Sequence, residues 1–433
     1  MADGRWVLLG LAHPRAAWFA EVARWSTSAT IAAEFVKCVS SEEVRARLAS
    51  GRAYSALLVD ASLASFDRDL VAAAATSYTP VIAITDGRGP AWSPGELGVA
   101  AVLPAAFDRE QLVDVLTASA HPIARGDELP PLLAAVSAPA AWRGRLVAVC
   151  GPGGTGASTT AIATAQGLGT DARYGGRVLL ADLALRADQA MLHDAGDLGP
   201  GVQELVEAHR LGRPDLAEIG SYTFDVPRRG YRLLLGLRRP SAWAALRPRA
   251  TEAAVASLRQ AFQLVVADVT GDVEGEAEGG SLDVEERNHL ARCCVLQADL
   301  VLVVGSPGFK GIHTLASTLR ALVDAGVDQG GLVAVLNRAP RSPRARSEIA
   351  QAVAHLAPAI ALTTPVWIPE RPLEPALRDG TPLPAPVVQP LTAAVRSLLE
   401  RRPAQLGAEV GGPTLIEPGS LGSLGAWGAE ESD

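Results

Sequence analysis

The stretch "LVAVCGPGGTGASTT", Leu146–Thr160, decides the fold of the longer part of the chain. Its first four residues are apolar and have the composition of a strand buried on both faces. A glycine-rich turn follows, and small residues from Ala157 to Ala165 favour the start of a helix. A strand, a tight turn and a helix in this order begin an open α/β sheet. Because a helix N-terminus attracts anions through its free N–H groups and its dipole, the turn is a candidate phosphate site.

The composition limits both the class of protein and the kinds of partner. The chain has 433 residues, of which 48% are hydrophobic, enough for two ordinary domains with their own cores. Its net charge of −8 argues against a broadly basic nucleic-acid surface. The four cysteines show no C-x-x-C spacing, which favours reduced thiols in a cytoplasmic protein. No apolar stretch reaches the roughly 20 residues of a membrane-spanning helix, so we expect a soluble, intracellular chain.

Apolar strands alternate with helical segments in two blocks. We expect an α/β domain over residues 1–122, a linker over 123–143, a second α/β domain over 144–401 and a disordered tail over 402–433. The strand-like segments of the first block are RWVLLGLA, SALLVDAS, PVIAITDG and GVAAVLPA. The predicted strands of the second block are Leu146–Cys150, Arg177–Asp182, Tyr231–Leu235, Leu264–Asp268, Leu300–Gly305, Leu332–Asn337 and Pro365–Ile368. This alternation predicts an α/β fold with doubly wound, mostly parallel sheets.

Polar side chains end three of the predicted strands of the second block. Asp182 and Asp268 each follow an apolar run, and Asn337 and Arg338 follow another. A carboxylate at a strand end beside a phosphate loop is where magnesium is organised in phosphoryl-transfer enzymes. A side-chain amide at a strand end can pair with the edge of an adenine ring. Together with the glycine turn, these positions predict a nucleotide site at one edge of the sheet.

In their order along the chain, these features resemble the MinD/ParA family of P-loop ATPases, whose loop reads K-G-G-x-G-K-[ST]. The glycines and the hydroxyl residue of that pattern are matched by Gly153, Gly154, Gly156 and Ser158. The match extends over most of residues 144–401 and depends on the order of the motifs. It implies a P-loop α/β domain with a mostly parallel sheet that binds ATP and Mg²⁺.

The resemblance also implies which residues form the site. The residues it assigns to the nucleotide are Gly151, Gly153, Gly154, Thr155, Gly156, Ala157, Ser158, Thr159, Asn337, Arg338 and Pro369. The residues it assigns to magnesium are Ser158, Asp182 and Asp268. Pro369 belongs to a late segment, PVWIPERPLEPALRDGTPL, that resembles the wall of the family's base pocket.

The chain departs from the family at the groups that break the phosphate bond. Pro152 and Ala157 stand at the two lysine positions, and Ala184 replaces the aspartate that positions the attacking water. Losing one preorganised donor costs a few kcal/mol in a reaction barrier. We therefore expect nucleotide binding with little or no hydrolysis, and we assign no catalytic residue. The alternative is an active ATPase switch in which Arg177 or Arg186 replaces the lysine.

The first block resembles a response-regulator receiver domain that has lost its chemistry. Asp60, at the end of ALLVD, stands at the phosphoacceptor position. The residues after the first strand, Leu11–Pro14, supply no acidic pair, and Pro104 stands where the receiver lysine belongs. We expect a degenerate receiver that serves as a docking or dimerising module.

A receiver-like domain ahead of a MinD/ParA-like domain is the layout of the CpaE/TadZ family, and GGTGAS is similar to its actinobacterial branch. That branch places the Flp (tight adherence) pilus or related secretion machinery and is sometimes labelled septum-site determining protein. The resemblance implies a cytoplasmic homodimer, held at a pole or septum by pilus and secretion assembly proteins that include a secretion ATPase. We expect no direct membrane binding, because the last helical stretch is short and the glycine-rich tail, acidic near its end, would be repelled by anionic lipid.

The sequence is compatible with two further roles. One is a septum-site or cell-division regulator of the MinD type. The other is a DNA-partitioning protein of the ParA type, for which a basic cluster could supply the phosphate contacts. That cluster consists of Arg338, Arg341, Arg344 and Arg346. Since the chain is acidic overall, we do not expect nucleic acid as its main partner.

Overall fold

The computed structural model describes residues 5–13, 16–87, 92–123, 143–174, 176–196, 199–360 and 364–402. Its strands, β1 to β13, are Trp6–Leu11, Ala33–Cys38, Ala56–Asp60, Val81–Thr85, Ala101–Pro104, Arg145–Cys150, Val178–Asp182, Thr223–Val226, Tyr231–Leu234, Leu264–Asp268, Leu300–Gly305, Leu332–Ala339 and Val366–Pro369. Its α-helices, α1 to α16, are Ala17–Thr27, Ser41–Ala49, Arg68–Thr76, Pro94–Leu97, Arg109–Ser119, Ala157–Gly169, Gln189–Leu192, Val202–Ala208, Leu216–Ser221, Pro248–Ala261, Glu276–Gly279, Leu282–Gln297, Phe309–Asp324, Pro343–Leu356, Glu374–Arg378 and Ala385–Arg401.

The first five strands form one parallel sheet in the order β2-β1-β3-β4-β5. This is the flavodoxin-like order of doubly wound folds. The edge strand β2 is absent from the sequence prediction. Its residues AEFVKC mix charged with apolar side chains and are mostly half-exposed, so they lack the continuous apolar run of a central strand.

The other eight strands form a second sheet in the order β13-β12-β11-β6-β10-β7-β9-β8. All neighbours are parallel except β8 and β9. All seven strands predicted for this block are present, with ends that differ by no more than two residues. The short antiparallel strand β8 is not among the strands predicted from the sequence. The predicted fold class, α/β with mostly parallel doubly wound sheets, is confirmed.

Helices cover both faces of each sheet, and each sheet has a hydrophobic core on either side. In β6, residues 146–150 are completely buried because successive side chains enter opposite cores. Continuous apolar runs are therefore required here, and they are the reason why the central strands are visible in the sequence.

The two sheets are joined through the start of α3. The Arg68 guanidinium donates to the carbonyl oxygens of His209 (3.2 Å) and Gly212 (3.1 Å), both after α8. The Asp69 carboxylate accepts from the backbone N–H of Arg249 in α10 at 3.1 Å. These polar contacts fix the start of α3 against α10 and the segment after α8, which lie over the second sheet.

Parts of the predicted organisation fall outside the described ranges. These are residues 124–142, which make up nearly all of the predicted linker, and residues 403–433 of the predicted tail. None of the helices within the described ranges is both long and apolar enough to cross a membrane.

Candidate functional site

The glycine turn after β6 has the shape of an anion-binding loop. Gly154 and Gly156 have φ values of 80° and 88°, which favour glycine over any residue with a side chain. Gly156 is the N-cap of α6, and a Cβ added there would lie 2.4 Å from Asn337 Nδ2. The first helical bond runs from Thr160 N to Gly156 O (2.9 Å), so residues 157–159 present N–H groups that precede the helical ladder. This arrangement can hold phosphate oxygens without a lysine.

The loop opens into a cleft of about 660 Å³ at the carboxyl ends of the strands. The predicted site residues that line it are Gly151, Gly153, Gly154, Gly156, Ala157, Ser158, Thr159, Asp268 and Arg338. Thr155 does not line the cleft but is buried. Its hydroxyl and its N–H both donate to the carbonyl oxygen of Pro152. Thr155 thus holds the turn from within rather than facing the cleft.

The two strand-end aspartates lie side by side behind the loop. Asp182 and Asp268 are register partners on the neighbouring parallel strands β7 and β10. Their exposed fractions are 0% and 1%. Desolvation by burial raises the pKa of Asp268 to about 6, although the Ser158 side chain lies close enough to the Asp268 carboxyl to lower its pKa. The pKa of Asp182 is raised well above its ordinary range, first by burial and then by repulsion from Asp268.

Gln189 completes this cluster and was not predicted from the sequence. Its side-chain Nε2 donates to Asp268 Oδ2 (2.7 Å) and to the carbonyl oxygen of Ser158 (3.2 Å). Its backbone N–H donates to Asp182 Oδ2 at 2.9 Å. The residue is fully buried in the short helix α7. A lone glutamine in the run RADQAML carries no motif, so only the tertiary structure identifies it.

The surroundings of the aspartates do not suit a magnesium ion. Mg²⁺ requires near-octahedral oxygen ligands, whereas Asp182 accepts from the N–H groups of Gln189 and Ala184 and Asp268 accepts from the Gln189 amide. Among the residues that the structure describes, no three His, Cys, Asp or Glu side chains cluster closely enough to hold a metal. The magnesium role of Ser158 and the two aspartates stays a prediction, and the donors around the carboxylates argue against it.

Asn337 and Pro369 line a second cavity of about 550 Å³ that adjoins the cleft at Gly156. Asn337 Nδ2 donates to the carbonyl oxygen of Thr155 at 2.8 Å, and its Oδ1 accepts from the N–H of Arg338 at 2.9 Å. Because an amide offers two N–H donors and two oxygen lone pairs, one of each remains for a ligand. The base-binding role of Asn337 stays a prediction that this geometry allows.

The arginines named as lysine substitutes lie in different places. Arg177 precedes β7, at the amino ends of the parallel strands, whereas the cleft lies at their carboxyl ends. The prediction that Arg177 could replace the lysine is therefore wrong. Arg186 is exposed and lines the cleft. Arg338 lines it as well, with its guanidinium 3.4 Å from the carbonyl oxygen of Gly154.

The corresponding edge of the first sheet is built differently. Asp60 ends β3, and its Oδ1 accepts from the N–H (3.0 Å) and the hydroxyl (2.7 Å) of Ser62. Pro104 ends β5, and Ala12 and His13 follow β1. Pro14, the last residue of the segment that lacks the acidic pair, lies outside the described ranges. The degenerate phosphoacceptor role of Asp60 stays a prediction.

No protein-family model and no curated protein matches the chain. Several solved structures are similar to part of it. A ParA family ATPase from Chlorobium tepidum TLS is 14% identical, with 58% of this chain and 98% of that chain covered and a TM-score of 0.47. The Pyrococcus furiosus cell division ATPase MinD is 19% identical, with 59% and 99% covered and a TM-score of 0.43.

A third similar structure is the septum site-determining protein MinD complexed with Mg-ADP from Pyrococcus horikoshii OT3. It is 18% identical, with 59% of this chain and 97% of that chain covered and a TM-score of 0.42. At these values the similarities transfer no ligand, activity or partner to this chain.

Proposed function

We propose that the chain is an ATP-binding localisation factor that hydrolyses its nucleotide slowly or not at all. In this proposal residues 144–401 form the nucleotide-binding domain and residues 1–122 form a receiver-like docking domain. The observation that carries it is the loop itself. Its left-handed glycines and free helix N-terminus open into a cleft, while Pro152 and Ala157 stand at the lysine positions.

Phosphate binding and phosphate cleavage require different groups. The cleft contains more of the groups that binding requires. The N–H groups of residues 157–159 and the dipole of α6 stabilise an anion in the ground state. Cleavage also needs charge stabilisation of the transition state and a positioned water. Ala184 lines the cleft with a methyl group where a carboxylate would orient that water. The site is therefore suited to holding a nucleotide for longer than a fast ATPase would.

We further propose the Flp pilus or a related secretion system as the process that the protein serves, with a homodimer as the working form and assembly proteins, including a secretion ATPase, as partners. The motif order and the receiver-like first sheet support this role. Genes for secretion ATPases and pilus assembly beside this gene are the expected context. Partition genes there would contradict it, and cell-division genes would favour the septum-site alternative.

An active switch that uses Arg186 is the second candidate, because this exposed side chain lines the cleft. The DNA-partitioning role receives less support. Arg346 donates to the carbonyl oxygen of Pro340 (2.7 Å) and stacks on Trp367, and Arg344 pairs with Glu348. With Arg338, which donates to the carbonyl oxygen of Gly154, three of the four cations of the basic cluster thus have partners within the protein.

Calorimetric titration with ATP, combined with a turnover assay, tests the main proposal. We expect saturable binding and turnover far below that of Ala157→Lys, which restores a cation beside the loop. Ala217→Lys, on an exposed position of α9, is the control for an added charge and should behave like the wild type. Absence of ATP binding would refute the proposal. Fast wild-type turnover that disappears in Arg186→Ala would establish the second candidate instead.

A further inference from the structure

Gln189 is the polar side chain that joins the elements of the candidate site. It is fully buried, and it contacts the strand-end aspartates of β7 and β10 and the first turn of α6. A neutral amide at this depth is costly unless its polar atoms are paired. The position of Gln189 is therefore set by the carboxylates and the carbonyl oxygen to which it donates hydrogen bonds.

The orientation of the amide follows from its partners. Both atoms within reach of Nε2, Asp268 Oδ2 and the carbonyl oxygen of Ser158, are acceptors. With the amide reversed, its oxygen would face these two acceptors, so the observed orientation is the one that makes hydrogen bonds. The other end, Oε1, is buried and finds no partner among the described residues. The two hydrogen bonds donated by Nε2 thus stabilise this orientation by more than the unpaired Oε1 costs.

The groups that Gln189 satisfies are those that a divalent cation would need. Asp268 Oδ2 receives the amide, and Asp182 Oδ2 receives the backbone N–H of the same residue. A carboxylate oxygen has two lone pairs, and the N–H donor takes one of them, so a cation at the same oxygen would have to share it with that donor. The Gln189 amide, 2.7 Å from Asp268 Oδ2, therefore competes with a cation for the space beside that oxygen.

We propose that the side-chain amide of Gln189 takes the place of a divalent cation at the strand-end aspartates, so that the glycine loop binds nucleotide phosphates without magnesium. The part that concerns the nucleotide rests on the proposed function, whereas the exclusion of the metal does not. Positive charge for the phosphates then comes from the helix N-terminus and from Arg186 and Arg338, both of which line the cleft. Gln189 acts in this scheme as a positioning residue.

The first test uses the metal alone. We expect the unfolding midpoint of the wild-type protein to be unchanged by ~10 mM MgCl₂, and Mn²⁺ titrated into it to show no saturable binding. Gln189→Glu adds a third carboxylate beside Asp182 and Asp268 and should gain metal-dependent stabilisation of about 2–4 °C. Gln189→Ala, which removes the competing donor, should gain saturable Mn²⁺ binding. Gln351→Ala, at an exposed glutamine of α14, should behave like the wild type.

The second test compares nucleotide affinity in magnesium with that in EDTA. For the wild type we expect the two dissociation constants to agree within about twofold, and for Gln189→Glu to differ by about tenfold or more. A wild-type affinity that falls tenfold in EDTA, or saturable Mn²⁺ binding by the wild type, would overturn the inference. If no nucleotide binds under either condition, the proposed function fails, and the metal titration alone still decides whether Gln189 replaces a cation. If one Gln189 variant does not fold, the Mn²⁺ titration of the other variant gives that decision.

Discussion

The two sheets carry acidic residues at equivalent edges but surround them differently. Asp60 ends a central strand of the first sheet and is half-buried, and among the described residues its carboxylate accepts only from Ser62, in its own turn. Asp268 ends a central strand of the second sheet, is 1% exposed and accepts a hydrogen bond from Gln189 on another element, α7. The strands are alike, so the segments that follow them make the difference. A glycine loop and a helix N-terminus create a buried polar site with a cleft, and a short polar turn does not.

The buried carboxylates offer the largest contrast between the two edges. In Asp182→Ala, the N–H groups of Gln189 and Ala184 lose their acceptor. Each loss costs roughly 1–3 kcal/mol, and relief of repulsion with Asp268 offsets part of it. We expect the free energy of unfolding in urea to fall by about 3–4 kcal/mol. The matched change Asp60→Ala should lower it by less than about 1 kcal/mol. Equal effects would show that the two edges are equivalent after all.

A pH dependence should come from the second sheet through His193. Its ring bonds to the Gln189 carbonyl oxygen (2.8 Å) and the Tyr231 hydroxyl (2.6 Å), and desolvation by burial lowers its pKa from 6.5 to about 4. As the pH falls, His193 therefore takes up its proton at a higher pH in the unfolded chain than in the folded protein. The contribution of His193 is fully present above pH 6.5 and is lost as the pH falls through 6.5 towards 4.

In His193→Phe, this pH-dependent part should disappear, which amounts to about 3 kcal/mol between pH 6.5 and pH 4. Urea unfolding at several pH values measures it. His355→Phe, at an exposed histidine of α14, should keep the wild-type slope. The raised pKa values of Asp268 and Asp182 contribute an opposite slope in both proteins, so the test is the difference between variant and wild type. A difference that does not change with pH would contradict the assignment.

The glycine loop is the feature that distinguishes the edge of the second sheet from that of the first, and two of its glycines allow a test. Gly156→Ala places a Cβ 2.4 Å from Asn337 Nδ2 at a φ of 88°, so we expect a loss of about 2 kcal/mol in stability together with nucleotide binding. Gly153→Ala meets no atom within 4 Å and should retain both. Thermal unfolding and calorimetric titration with ATP measure the two properties. Equal loss in both variants would mean that the shape at Gly156 is not what holds the phosphate.

The central strands were predictable because burial on both faces demands a continuous apolar run, as in Leu264–Asp268, whose limits match the prediction. The edge strands β2 and β8 were not, since one side of an edge strand meets solvent and its residues are mixed. The glycine loop and the strand-end aspartates follow from local order along the chain. Gln189 does not, because its partners lie 31 and 79 residues away and no local pattern marks it.

The contact between the two sheets provides the smallest expected effect. The Arg68 guanidinium donates to two carbonyl oxygens after α8 and to the carbonyl oxygen of Glu96 (3.2 Å) within the first sheet's own domain. All three acceptors are neutral, and burial lowers the pKa of the guanidinium, so desolvation offsets much of what the hydrogen bonds contribute. We expect Arg68→Ala to lower the free energy of unfolding by about 1 kcal/mol.

Arg52→Ala, which removes a solvent-exposed ion pair with Glu34 elsewhere in the first sheet, is the control and should have almost no effect. Hydrogen exchange locates the change. In Arg68→Ala the amides of α3 and of the segment after α8 should exchange faster together, because each loses the same partner. If only α3 were affected, the contact would be a local feature of the first sheet. The loop edge of the second sheet should keep its protection in both variants, which would show that the contact between the sheets is independent of the candidate phosphate site.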